Sequence, residues 1–142
     1  MDVQYKRIKA QTLQGRRFTI VVGLHEGFDP EAGVTHYQVT AQRALIQWME
    51  RRGARQMPYL NGLVTSGGYI YSHGSGAATS VGGEPAIEFT GIISTSYLAD
   101  MSNQDIEDML EEMAATLGAV LGQIRVEIAF MDRAWAIVVQ QP

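Results

Sequence analysis

Seven apolar residues between positions 106 and 121 fall on one side of a helix: Ile106, Met109, Leu110, Met113, Leu117, Val120 and Leu121. A stripe this wide has to be buried against another layer, and that demand restricts the folds open to the chain. Ser102 and Asp105 form a capping pair ahead of the stripe. Acids gather in the first turns at Asp105, Glu107 and Asp108, where the helix dipole favours them, and Gly122 ends the helix. An earlier segment carries a second stripe: Tyr37, Ala41, Ala44, Leu45, Trp48 and Met49. Thr35 and Gln38 fit a capping box at its start, and Gly53 is the expected stop.

The segments around these helices alternate. From Arg17 to Leu24, Phe18, Ile20, Val22 and Leu24 share one face of a strand, and Thr19, Val21 and Gly23 share the other. Residues 25–34 carry Gly, Asp and Pro and read as a loop. Leu60 to Tyr71 reads as a strand interrupted at Gly62, Gly67 and Gly68, and residues 73–83 as a flexible connection. Ala86 to Ser96 follows as a strand, completing a hairpin with a long tip. Arg125 to Met131 points Val126, Ile128 and Phe130 inward. Either Asp132 and Arg133 turn the chain into a last strand, Ala134 to Val139, or one long bent strand runs through.

This order predicts an α+β domain of the ferredoxin-like split β-α-β type, with two helices on one face of an antiparallel sheet and a possible extra C-terminal strand. Residues 1–16 are expected to form an arm, either loose or an irregular edge strand, and residues 17–142 a single domain. Val21, Ile92 and Trp135 are expected on the uncovered face. An apolar open face invites a partner, so a homo-oligomer, dimer or larger, is anticipated.

Several function classes drop out on composition. The chain has no cysteine, which excludes disulfides, thiolate metal sites and a cysteine nucleophile. No apolar run is long enough to span a membrane, and the polar, basic start from Met1 to Arg17 is no secretory signal, so a cytoplasmic location is expected. Residues 1–55 hold nine Lys or Arg against five Asp or Glu, whereas residues 56–142 hold two against ten. An acidic domain without a broad basic stripe does not suit duplex nucleic acid.

Catalytic constellations are scarce. His25, His36 and His73 show no metal-ligand spacing, so no metal and no cofactor is expected. The Gly-rich SGGYIYSHGSG lies between strands and lacks the phosphate-loop pattern; it reads as a hairpin loop or as a flap over a ligand. His73-Gly-Ser75 is half of the signature of two-histidine phosphodiesterases, but neither His25 nor His36 completes the acid–base pair. Asp105, Glu107, Asp108, Glu111 and Glu112 read as a solvated helix face. The tautomerase base, an N-terminal proline, has no counterpart after Met1-Asp2. With no nucleophile beside a base, the residues point away from an enzyme. Arg17, Arg125 and Arg133 stand at strand ends, and with Arg55 they are the candidate donors to an anion, since guanidinium holds phosphate bidentately at any working pH. Tyr69, Tyr71 and Trp135 are the candidate stacking surface, and His73 completes the binding set.

RFTIVVGL (17–24), an amphipathic helix, GYIYSHGSG (68–76), IEFTGIIS (87–94), an acid-capped helix and LGQIRVEIAF (121–130) run in one order. In that order the chain resembles the phage anti-Thoeris sponge family, small proteins that sequester cyclic ADP-ribose isomers. The resemblance covers about residues 17–139 and implies a non-enzymatic oligomer with pockets at subunit junctions, where arginine, aromatic and asparagine side chains would meet phosphate and base. The expected function is therefore sequestration of a small anionic, nucleotide-type immune signal. The alternatives are a structural module of a phage particle and a small bacterial oligomeric α+β protein.

Overall fold

The computed structural model describes residues 3–7, 16–27, 29, 31–73, 80–93, 98 and 100–140. Along the chain run β1 (Arg17–Gly23), α1 (Gln38–Ala54), β2 (Leu63–His73), β3 (Ser80–Ile92), α2 (Asn103–Val120), β4 (Arg125–Phe130) and β5 (Arg133–Val138). The strands form one sheet in the order β2-β3-β1-β4-β5, and every adjacent pair is antiparallel. This is the expected α+β, ferredoxin-like architecture, extended by β5 at one edge.

Register sorts the side chains. Phe18, Ile20 and Val22 of β1, Ile87 and Phe89 of β3, and Val126, Ile128 and Phe130 of β4 all point toward the helices and are almost completely buried. Ile106, Leu110, Met113 and Leu117 of α2 and Ala41, Leu45 and Trp48 of α1 close over them. The Phe18 and Phe89 rings meet at 5.4 Å in a tilted pair. The two helical stripes thus find the layer they require.

The caps divide. Ser102 accepts a hydrogen bond from the Asp105 backbone N–H at 3.1 Å, as expected of the α2 N-cap. α1 instead begins at Gln38 with Tyr37 as an N-cap that makes no side-chain bond. The Thr35 hydroxyl is taken by the His25 ring, 2.6 Å from Nδ1, so the expected capping box does not form. Gly53 lies within α1 and does not stop it; the chain turns at Arg55 and Gln56, the latter at φ 58°. Gly122, at φ 63°, terminates α2 as expected.

Other expectations shift in detail. The β2–β3 hairpin extends to His73 and Ser80, so residues 73 and 80–83 of the expected flexible connection are strand. Its tip, residues 74–79, lies outside the described residues, as do residues 94–96 of the expected third strand. The bend after β4 falls at Met131 and Asp132, and Met131 adopts φ 58°. Most of the expected arm also lies outside the described residues, and residues 3–7 are exposed.

Two corrections concern the faces. Trp135 pairs with Ile128 and so lies on the helix side, where its Nε1–H donates to Glu111 Oε1 at 2.9 Å. The acids of α2 are not simply a solvated face. Glu107 is buried and paired with Arg133 at 2.6 Å, while Glu112 accepts from Trp48 and Arg52, both at 3.1 Å. These acids tie α2 to β5 and α1, because the cations and indoles that need partners come from those elements. Among the described residues no helix is long and apolar enough to cross a membrane.

Candidate functional site

The uncovered face of the sheet carries the opposite set of side chains. Tyr69 of β2 stands across from Glu84 of β3, Thr65 across from Glu88, and Val21 of β1 lies between Glu88 and Glu127 of β4. This face is mixed, with Val21 and Ile92 set among carboxylates, and so corrects the expectation of an apolar surface carrying Trp135. At the end of the face where β1 leaves the sheet, a cavity of about 430 Å³ opens. Tyr69, Tyr71, Glu84, Gln123, Arg125 and Glu127 supply its polar wall, over a floor of Val21 and Gly23.

Tyr69 and Tyr71 share this side because they are two residues apart on one strand. Their rings lie 6.3 Å apart at 30°, a shelf with open aromatic surface, and Tyr69 is 44% exposed. Arg125 and Glu127 also share a face by two-residue spacing, and Arg125 Nε donates to Glu127 Oε1 at 2.6 Å. That bond, followed by the carboxylate's charge, raises the Arg125 pKa further above its ordinary value.

Glu84 is held differently. Its Oε1 lies 2.7 Å from the point where a Cβ on Gly23 would stand, and Gln123 Oε1 lies 2.8 Å from the same point. Glycine at 23 is therefore a condition for both oxygens to approach the backbone there. Burial pushes the Glu84 carboxyl above the ordinary carboxylate range, and the nearby His25 partly opposes the rise. Gln123 is fixed by its own amide, whose Nε2 donates to the His25 carbonyl at 2.8 Å and to the Leu121 carbonyl at 3.1 Å.

The loop after β1 forms one side of this end of the sheet. The His25 ring contacts Thr35 Oγ1 and, at 2.8 Å, the Asp29 carbonyl. His36 Nε2 meets Glu26 Oε1 at 2.9 Å, and Glu26 N–H donates to the Val34 carbonyl at 2.8 Å. A side chain at position 122 would collide with the Glu26 carboxylate, so Gly122 serves both the end of α2 and the packing of this loop.

Of the residues singled out from sequence, the structure brings together Tyr69, Tyr71 and Arg125. Arg17 stands opposite Ile92 at the far end of β1, about four residues and roughly 13 Å from Val21, the nearer residue of the cavity floor. Arg55 is exposed beyond α1. Arg133 and Trp135 face α2, with the guanidinium 5.6 Å from the indole centroid. His73 pairs with Ser80 at the end of the hairpin. Glu84, Gln123 and Glu127 were absent from the sequence-based set. Alternation around Val126 and Ile128 could have placed Glu127 beside Arg125; Glu84 and Gln123 flank strands at positions where no periodicity marks them. Among the described residues no cluster of His, Asp or Glu is arranged to hold a metal.

No protein-family model and no curated protein matches the chain. Solved structures do share its fold. A phage SAM lyase in complex with S-methyl-5′-thioadenosine superposes with a TM-score of 0.58 at 18% identity, covering 93% of this chain and 97% of that one. A phage SAM lyase in the apo state gives a TM-score of 0.61 at 17% identity, covering 95% and 99%. Both of these structures match the fold end to end, and both are of an enzyme. That finding overturns the expectation of a non-enzymatic sequestering protein.

Proposed function

We propose that this protein is a lyase that cleaves a carbon–sulfur bond of S-adenosylmethionine on the open face of its sheet. The observation that carries the reading is the cavity at the end of β1, which joins an aromatic shelf to a rim of oxygen atoms, in a fold shared with a phage SAM lyase. Adenine suits the Tyr69–Tyr71 shelf, because base–aromatic stacking contributes about 1–3 kcal/mol per base. The positive sulfonium suits Glu84 and Glu127, and Arg125 offers a positive charge to the substrate's carboxylate. The ligand anticipated from the arginines was an anion; this one is a zwitterion with an added cationic centre.

The chemistry needs no co-reactant. S-methyl-5′-thioadenosine keeps the adenosyl and methyl groups, so the bond that breaks joins sulfur to the aminobutyrate chain. The electron pair of that bond passes to sulfur and extinguishes its charge, so the leaving group is a neutral thioether that needs no proton. The chain's carbon end is completed either by the substrate's own carboxylate, giving a lactone, or by loss of the neighbouring proton, giving an alkene. Glu84, whose proton affinity is raised by burial, is the cavity group suited to take that proton.

The test is incubation of S-adenosylmethionine with a catalytic amount of the protein, followed by chromatography and mass spectrometry. Many equivalents of S-methyl-5′-thioadenosine are expected, with a lactone or alkene of matching amount; recovery of intact substrate overturns the reading. Self-association is a separate part of the proposal, supported by Leu63, Ile92 and Val138, which are exposed on the open face. Light scattering that reports a monomer at high concentration removes it.

A further inference from the structure

We infer that Gln123 is a specificity-determining residue, whose fixed amide oxygen acts with the Glu84 carboxylate to make the cavity select a cationic centre over its neutral thioether counterpart. The inference rests on the proposed ligand class and concerns what that site discriminates.

An amide ordinarily presents either end to a ligand. Here both groups that Gln123 meets with its nitrogen, the carbonyls of His25 and Leu121, are acceptors. Only the NH2 end satisfies them, so the oxygen is committed to the other direction. That direction is the space over Gly23, where Glu84 Oε1 also stands. Neither oxygen brings a proton when Glu84 is ionised. Both oxygens lie within 2.8 Å of one point on Gly23 and both residues line the cavity, so a single positive or hydrogen-donating group in the cavity can be attracted by the two together. The missing Cβ of Gly23 is what lets both oxygens approach the backbone this closely. Tyr69 and Tyr71 line the same cavity, and an aromatic ring face carries the negative side of a quadrupole, which again favours a cation.

The discrimination has a consequence for turnover. Cleavage converts sulfonium to thioether, so the group that holds the subsite loses its charge in the same step. Affinity drops when the product forms, and the subsite speeds release. By the same reasoning the subsite binds the ground state more strongly than a transition state in which the charge is already fading. Gln123 therefore acts on affinity and leaves the chemical step to other groups.

Equilibrium binding separates these ideas without relying on activity. The probes are S-adenosylhomocysteine, the neutral thioether, and sinefungin, in which an amine-bearing carbon replaces the sulfonium, so that neither ligand can be cleaved. The wild-type protein is expected to bind sinefungin at least ~10-fold more tightly, the ratio for one unit charge facing partly solvated oxygens. Glu84→Gln, which keeps shape and removes charge, should narrow the ratio to about threefold or less. Gln123→Met should narrow it by about threefold while leaving S-adenosylhomocysteine affinity within about twofold of wild type. An equal loss for both ligands in Gln123→Met means that the residue only holds the loop after β1, and overturns the inference. Equal wild-type affinity for the two probes also overturns it while leaving the lyase reading intact. Failure of both probes to bind removes the adenosyl reading and this inference together.

Discussion

The two faces of the sheet are made from the same strands by the same alternation, yet they differ in almost every physical respect. On the helix side, Phe18, Ile20, Ile128 and Phe130 are sealed by α1 and α2, and the polar groups at its margin are paired, as in Arg133–Glu107 and Arg52–Glu112. On the other side, Val21 lies between Glu88 and Glu127, and the Glu84 and Gln123 oxygens both crowd close to Gly23. The closed face stabilises the domain. The open face holds the cavity on which the proposed activity rests. On the proposed function, stability and activity are separated by one strand thickness, and substitutions on adjacent residues should report on one or the other.

The largest effect is expected on the closed face. Leu110→Ala removes a fully buried side chain of α2 and should cost about 2–5 kcal/mol in a denaturant titration. A cost below about 1 kcal/mol would mean that the helix layer is not the core. Next comes Glu84→Gln, which on the alkene-forming route should lower turnover at least ~100-fold, the scale of a lost general base, with little change in folding. If it unfolds the protein, the separation of roles fails. Gly23→Ala is the sharper probe. Its new methyl displaces the flexible ends of Glu84 and Gln123 and no backbone atom, so ligand affinity should fall about tenfold while the Tm shifts by no more than a few degrees. Arg133→Ala should cost about 1 kcal/mol or less despite the short contact, because the guanidinium is largely exposed, and turnover should not change.

The smallest effect tests the electrostatics of the open face. Burial holds the Glu84 carboxyl above the ordinary carboxylate range, so the folded chain binds this proton more tightly than the unfolded chain does. Its contribution to stability is full below the ordinary carboxylate pKa and is lost as pH rises through the raised folded value. Glu84→Gln removes that loss. Its Tm should lie slightly above wild type at neutral pH, with the gap closing as pH falls into the carboxylate range. A gap that widens on acidification would contradict the burial of this carboxyl.

The closed face was legible in the sequence and much of the open face was not. The stripe from Ile106 to Leu121 and the alternation of Phe18, Ile20 and Val22 are local signals, and hydrophobic burial acts on them wherever the chain goes. Tyr69 and Tyr71 were legible for the same reason, being neighbours on one side of one strand. Gln123 and His25 are nearly the whole domain apart in sequence, and their contact arises because β1 and β4 are paired at the centre of the sheet. Glu84 sits in SVGGEP, a composition that reads as a loop and becomes strand only by pairing with β2. The expected cap at Thr35 failed by competition, since the His25 ring takes the hydroxyl that the helix would have used. Arg133 and Trp135 were read as ligand contacts because a sequence shows charge and aromaticity, while the acid of α2 that each meets is set by packing.

The division of labour between the faces is tested most directly by titrating S-methyl-5′-thioadenosine into the isotopically labelled protein and following assigned side-chain resonances. Shifts are expected at Val21, Ile124, Tyr69 and Tyr71, with Ile106, Met109 and Met113 unmoved. Shifts that concentrate on the helix-side methyls, with the open-face residues silent, would contradict the account.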